Sequence, residues 1–570
     1  MNMHGTFRAV MAGAALLTVA ACTQDLNVPN TQNPDVARAT ATPGDVQSLA
    51  QSAARDWYVG STEVDPWIML NVTADVATMN YGNFGARFNN LQPRIPYNNN
   101  VASGDAEVAE DPWNNMYGSL GEANDVLRAI DAGVVLPGGT DKYRALALWA
   151  RAGSLQLLAM VYDSAFAIDQ NFDPTTTTAQ LIGYKDMEAY TLAKLDTLIA
   201  LTSTQSETYS KSDFPLEGGL TSAKMTRFAN TMAAQLLTFT PRTAAEAATV
   251  DWTKVLAYAD KGIGTGSAGA PFDFNVIGDY NTWWSDLVSY MDMPSWMMVD
   301  LKLIHQMSPN VPSQYAGTPT GCSSGDDACY DATYAPGAGH DLRLGVDVSS
   351  PDIDTDTAGT DFIYARVVQG DPRRGIYMQS PYYHVRHWSY TYDAPNPQVG
   401  PVPWTYAAGN DLIKAEALIR SGGDRNLAAT LINNTRVTRG GLTPMTAANT
   451  DAEFMQAITY EREVELYASN GYGHFAMRHI DSLQTGTVRH LPLPAAELQT
   501  DGLPVYTYGG AVENPTGMNM VPGSAGHQLM LDLSHLQHGP FRTLALPDGQ
   551  QMQMLVPKPI VRPSRSAIKQ

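Results

Sequence analysis

Residues 410–438 read NDLIKAEALIRSGGDRNLAATLINNTRVT, two helical stretches at 410–421 and 425–438 separated by Gly422-Gly423. A glycine pair stops the first, and Asp424 is placed to cap the second. Immediately downstream, Thr450-Asp-Ala-Glu453 forms a capping box before a third helix running to about Ala468. The same grammar recurs upstream. Asp111-Pro-Trp113 opens a segment with Met116, Leu120, Ala123, Leu127 and Ile130 at helical spacing. Gly138-Gly139 breaks it, and Thr140 is positioned to cap a helix over 141–162 that carries Leu146, Ala150, Gly153, Leu157 and Met160 on one side. Gly153 would let a neighbouring helix approach closely. Further helical stretches cover about 184–201, 223–239 and 251–263. Two-helix units joined by short turns predict a mainly α protein: a tetratricopeptide-like superhelix of helical hairpins, although no strict 34-residue period survives.

Between the helical blocks the composition changes. Residues 266–406 are rich in Gly, Pro, Ser, Asp, Tyr and Trp and lack a sustained helical period. So long a loop-rich stretch in a compact protein is usually functional, and it reads as a ligand-binding subdomain. The expected organisation is a leader over 1–21, a polar tether over 22–42 and a main domain over 43–500. Within that domain a helical core spans about 43–265 and 407–480 around the insert 266–406, and residues 501–570 extend beyond it. Alternation near 543–556 hints at strands.

The 570 residues carry 36 Lys and Arg against 57 Asp and Glu, a formal charge of −21, and are 44% hydrophobic. That apolar fraction excludes an intrinsically disordered chain, and the absence of long apolar runs after the leader excludes a polytopic membrane protein. The negative balance argues against nucleic-acid binding, which needs clustered cations. Tyr (27) and Trp (10) together outnumber Phe (14), which suits a protein that offers amphipathic rings to a wet ligand.

Arg8 precedes the apolar stretch 9–21, too short to span a bilayer, which ends at Val19-Ala20-Ala21-Cys22. This resembles a bacterial lipobox, with Cys22 the lipidated first residue of the mature chain and the anchor of a soluble body. The alternative is an ordinary signal-peptidase site. In an oxidising compartment Cys322 and Cys329 would form a loop disulfide, stabilising by about 2–3 kcal/mol. A zinc site lacks partners there.

Several fragments in order resemble the SusD/RagB family. They are Gly409 through Glu416 (the "AEA" helix), Ile432 through Leu442 ("N-x-V-R-x-R-A-G-L"), Glu461-Arg462-Glu463-Val464-Glu465-Leu466 ("E-R-x-x-E-L") and Leu491 through Glu497 ("L-P-I-P-x-x-E"). Trp113 through Tyr117 and on to Asn124 is similar to that family's "W-x-x-x-Y…A-N" helix. The family's "G-H-R-W-x-D-x-R-R" turn departs here to Gly471 through His479, without the usual Arg and Asp. The resemblance implies an outer-membrane lipoprotein facing the exterior, without catalysis. It would capture oligosaccharide, or in some members peptide, and deliver it to a TonB-dependent SusC-like transporter.

Two aromatic loops are the candidate ligand surface. Residues 80–90 alternate rings with amides and an arginine, including Tyr81, Asn83 and Arg87; residues 279–286 repeat that chemistry with Tyr280, Trp283 and Trp284. Sugar C–H faces stack on flat rings, and hydroxyls need donors and acceptors beside them. The alternative is that these rings pack the loops onto the helices. A third cluster, Tyr382, Tyr383, Trp388, Tyr390, Tyr392 and Trp404, suggests a rigid exposed loop facing the transporter. Glu416, Arg436, Arg439, Glu461, Arg462 and Glu465 form a charge constellation. An arginine from the preceding helix is expected between Glu461 and Glu465, as an ion-pair network and not a glycosidase pair. Asp352, Asp354, Asp356 and Asp361 space oxygens as a calcium loop would, but lack an EF-hand's glycine and closing Glu, so a solvated acidic loop is expected and no cofactor assigned. His384, His387, His535 and His538 read as ordinary loop histidines. The rival readings are an exported glycan-degrading enzyme, a peptide-capture lipoprotein of the same architecture and a structural envelope protein.

Overall fold

The computed structural model describes residues 40 and 42–510, apart from 80–83, 87–90, 92, 174–175, 178, 267–268, 293–296, 317–331, 346–360, 365–378, 393–397 and 471, together with strands at 541–545 and 551–555. The leader, Cys22, Cys322, Cys329, the acidic loop as far as residue 360, His535 and His538 therefore lie outside the described residues.

The long helices are α1 (Pro43–Ser61), α2 (Glu107–Asp131), α3 (Thr140–Val161), α4 (Tyr184–Thr202), α5 (Ser222–Phe239) and α6 (Trp252–Ala259). After the insert come α8 (Ala407–Arg420), α9 (Arg425–Arg436), α10 (Asp451–Val464) and α11 (Tyr472–Arg478), with α7 (Asp286–Met291) inside the insert. Successive helices pack as hairpins, α1 on α2, α2 on α3, α3 on α4, α4 on α5 and α8 on α9, so the mainly α, hairpin-stacked class holds. Local chemistry sets their ends. Thr42 and Asp45 make a reciprocal capping box for α1 and Thr450 and Glu453 one for α10, while Asp424 accepts from Asn426 and Leu427 at the start of α9. Thr140 is not the cap of α3: Gly139 holds that place with φ 106°, and the Thr140 hydroxyl instead accepts the N–H of Leu136 at 3.0 Å.

Gly153 does admit a close neighbour. A Cβ there would lie 2.2 Å from Nε1 of Trp57 on α1. Trp57 in turn meets Trp149 at 5.1 Å and Trp404 at 5.3 Å, opening an aromatic core in which Phe228 stacks on Phe274 at 3.8 Å. Two buried arginines close the helix ends. Arg478 donates to Met160 O and Phe239 O near the C-termini of α3 and α5, and Arg242 donates to Ala159 O, Tyr162 O and Thr240 O. Carbonyls that helix geometry leaves unpaired are thereby satisfied by cations, which the helix dipole favours.

The insert has more regular structure than its composition suggests. Strands β1 (Phe274–Asp279) and β5 (Val399–Thr405) pair antiparallel with Asp279 opposite Val399. A three-stranded sheet has β3 (Phe362–Tyr364) at its centre, parallel to β2 (Leu344–Gly345) and antiparallel to β4 (Tyr382–His384). Near the C-terminus β6 (Phe541–Ala545) and β7 (Gln551–Leu555) form an antiparallel pair where alternation predicts strands. Among the described residues no helix is long and apolar enough to cross a membrane.

Candidate ligand-binding loop

The β1/β5 ribbon ends in a tight loop built on Asp279. One of its carboxylate oxygens accepts the N–H groups of Asn281, Thr282 and Trp283 at 3.1, 2.7 and 2.8 Å, and its own N–H donates to the Trp283 carbonyl at 2.9 Å. Partial desolvation would raise the Asp279 pKa, but the N–H groups of Trp283, Thr282 and Asn281 hold it below the ordinary value. The loop forces Tyr280 to φ 67°, a left-handed conformation that bulky side chains rarely adopt. Tyr280 as a whole is 40% exposed.

The adjacent tryptophans separate. Trp283 is only 6% exposed and packs on Phe214 at 5.0 Å and Tyr58 at 5.8 Å, so the expectation that it faces a ligand is corrected: it is a core residue that anchors the loop. Trp284 is half-buried, and its carbonyl accepts the Thr62 hydroxyl at 3.3 Å. Ser285 caps α7 through the Val288 N–H, and the Leu287 N–H donates to Thr62 O at 2.8 Å, tying the loop to the C-terminal end of α1. From the other side Tyr390 accepts the Ser285 N–H at 2.8 Å, and Gln398 donates to Asp286 and Ser289 at 3.2 and 2.9 Å. Gly278 is needed at the ribbon's end, where a Cβ would sit 2.5 Å from Gln398 O.

Tyr81, Asn83 and Arg87 lie outside the described residues. Their neighbour Phe84 packs edge-on against Tyr290 of α7 at 5.4 Å. The third cluster is not an exposed loop. Tyr382, Tyr383, Tyr390 and Trp404 are buried, and Trp404 donates to Ser61 Oγ at 2.8 Å. Nor are its histidines ordinary loop residues. His384 pairs with buried Asp292, which also accepts the His387 N–H, and burial pushes the His387 pKa down to about 3.

The charge constellation is a buried network, and its central arginine comes from the insert. Arg343, fully buried, meets Glu461 at 2.8 Å, Glu465 at 3.1 Å and Asp341 at 2.6 Å. Arg439 reaches Glu465 at 3.1 Å and also Asp361, while Arg436 points away and donates to Thr443 O. Glu416 is held by Arg462, Arg420 and His479 at 2.7, 2.6 and 3.0 Å. Burial lifts the Glu461 pKa against the pull of Arg343, so nearby arginines do not simply depress it. Both Glu461 oxygens are nonetheless bonded, to Arg343 and Thr435. No spacing in the sequence signals Arg343, because it lies 118 residues from Glu461. Among the described residues no group of three or more His, Cys, Asp or Glu side chains could hold a metal ion.

Comparison with known proteins adds the lineage. Residues 412–522 match the family model described as the SusD family. A SusD superfamily protein from Bacteroides thetaiotaomicron is similar with TM-score 0.52 at 12% identity, over 81% of this chain and 98% of that one. One from Parabacteroides distasonis gives 0.53 at 12%, over 80% and 97%. A SusD-like carbohydrate binding protein from Bacteroides fragilis gives 0.50 at 14%, over 77% and 86%. Among curated proteins nothing matches. At these identities the structural likeness speaks for the fold, and the segment that matches the SusD family model covers α9, α10, α11 and most of α8, whose motifs resemble that family.

Proposed function

We propose that this chain is a non-enzymatic glycan-binding protein of the cell exterior that captures oligosaccharide on the Tyr280–Trp284 loop. It passes the ligand to a TonB-dependent SusC-like transporter and is tethered to the outer membrane through lipid on Cys22. The observation that carries the reading is Tyr280, an exposed aromatic residue whose backbone is held at an unfavourable φ beside half-buried Trp284, with exposed Asn281 in the same turn. Backbone strain at an exposed aromatic suggests a position kept for recognition. The match of residues 412–522 to the SusD family model, and the likeness in fold to a SusD-like carbohydrate binding protein, support the ligand class. The best carboxylate pair for hydrolysis, Glu461 and Glu465, is buried and bonded to arginine, which favours binding over catalysis.

Calorimetry of the full chain against a panel of dietary and cell-wall oligosaccharides tests this. Saturable heat with a glycan, lost in Tyr280→Ala combined with Trp284→Ala, is expected. Heat only with peptides, or turnover of a glycan, overturns it. Cys22→Ser is expected to move the protein from the membrane fraction to the soluble one, and co-purification with a TonB-dependent receptor tests the delivery step.

A further inference from the structure

The ribbon that carries the Tyr280 turn has one edge taken and one free. On the β1 side the Ile277 N–H donates to Pro215 O at 2.8 Å and Asn275 O accepts the Glu217 N–H at 2.9 Å, while the Asp279 N–H closes its own turn on Trp283 O. The backbone groups of Asn275, Ile277 and Asp279 therefore face away from β5. Antiparallel alternation then leaves Gly278 with Gly400 and Val276 with Val402 as the bonded pairs. The N–H groups of Gly400 and Val402 face β1, so across each trans peptide the carbonyls of Val399 and Pro401 point the other way. No strand among the described residues pairs with that outer edge. Val399 is 44% exposed, and Pro401 is exposed as well. Gly400 between them takes φ 118°, and a Cβ there would meet nothing within 4 Å, so that position sets no side chain beside the two oxygens.

This edge is short of donors. Proline has no N–H, so Pro401 and, further in, buried Pro403 offer a carbonyl alone. An added peptide strand needs donors and acceptors in alternation, and its own carbonyls would stand unpaired opposite both prolines. A sugar hydroxyl suits the edge better, because its O–H can donate to a carbonyl that has no N–H beside it. The register sets Val399 opposite Asp279, about 4.5 Å away, and Tyr280 follows Asp279 directly. We propose that the Val399–Pro401 edge is the polar half of the ligand site: hydroxyls of an oligosaccharide donate to the Val399 and Pro401 carbonyls while another unit of the same chain stacks on Tyr280. The inference rests on glycan capture at the turn and adds the ligand's chemistry, a chain of hydroxyl donors in preference to an extended peptide.

Calorimetry of the full chain with maltohexaose, cellohexaose, xylohexaose and mannohexaose tests it, each sugar used native and with fluorine in place of one hydroxyl at a time. Fluorine keeps the size and removes the O–H. In the sugar that binds, at least two positions are each expected to lose roughly two- to twelvefold in affinity, the net worth of one hydrogen bond. Hydrogen exchange reads the place: the outward Val399 N–H should exchange at least about tenfold more slowly under saturating sugar. A sugar that binds with no sensitive hydroxyl, or with Val399 exchange unchanged, overturns the edge and leaves capture at Tyr280 and Trp284 standing. So does a Val-Thr hexapeptide that binds more tightly than all four sugars and protects Val399. Protection that grows with protein concentration in the absence of sugar assigns the edge to a second copy and overturns it too. No heat with any of the four overturns the edge as drawn, and silence across the wider oligosaccharide panel refutes glycan capture as well.

Discussion

Trp283 and Trp284 are adjacent in sequence, yet the first is buried and the second only half-buried, and the proposed function gives them different duties. Replacing Trp283 with alanine removes an indole that is 6% exposed and packed on Phe214 and Tyr58. Buried Trp→Ala changes cost about 3–5 kcal/mol, through lost transfer energy and the cavity left behind. At roughly 2.1 cal/mol/K of unfolding entropy per residue, 570 residues give about 1.2 kcal/mol/K, so the melting temperature should fall by about 2.5–4 °C if unfolding is cooperative. Trp284→Ala trims a half-buried ring and should shift it by about 1 °C or less, on the scale of surface changes. Scanning calorimetry reads the first effect and glycan titration the second: Trp283→Ala loses stability, Trp284→Ala loses affinity. If Trp283→Ala melts like the parent and weakens binding as much as Trp284→Ala, the loop does not sit as described.

Gly153→Ala should destabilise by about 1–3 kcal/mol or more in chemical denaturation, because the new methyl meets a rigid indole at 2.2 Å. Arg343→Met should cost about 3–5 kcal/mol by the same assay, since Asp341, Glu461 and Glu465 would be left buried without their shared cation. Glu463, raised to about 7 by burial and bonded to Gln306, supplies a pH test. Its folded pKa lies above the unfolded value, so the folded state keeps a proton that the unfolded chain has released. Stability therefore falls as pH rises from about 4.5 to about 7, by up to roughly 3 kcal/mol. Glu463→Gln should flatten that decline in denaturation curves taken across the window, and an unchanged slope would contradict the assignment.

The helical scaffold is legible because its signals are local. Gly422-Gly423 with Asp424, and Thr450 with Glu453, terminate and start helices through hydrogen bonds spanning a few residues, so the letters suffice. Gly153 is legible for a related reason, as a missing side chain on an apolar helix face. The aromatic loops are only half legible. Composition marks 279–286 as unusual, but which ring turns inward depends on Asp279 gathering three N–H groups and on Phe214 and Tyr58 waiting beneath. No period betrays that. The third cluster misleads because Pro and His resemble loop chemistry, whereas its rings fill the space between insert and scaffold. Arg343 is invisible to any local rule.

That invisibility bears on how an irregular insert can hold the Tyr280–Trp284 turn still. Short strands such as β2, β3 and β4 give few ladder bonds, and chain entropy favours their release. The compensation is polar and long-range. Arg343 ties β2 to α10, Arg386 and Arg439 join the insert to Glu465, and Asp292 is clasped by His384 and His387. Buried charges of this kind contribute little net stability against an apolar alternative, yet removing one partner is severe, so they act as registers more than as glue. Tyr390 and Gln398 then transmit that register to the turn carrying Tyr280 and Trp284. The acidic and basic groups that look like chemistry in the sequence thus serve position, and the turn that they hold carries the rings of Tyr280 and Trp284.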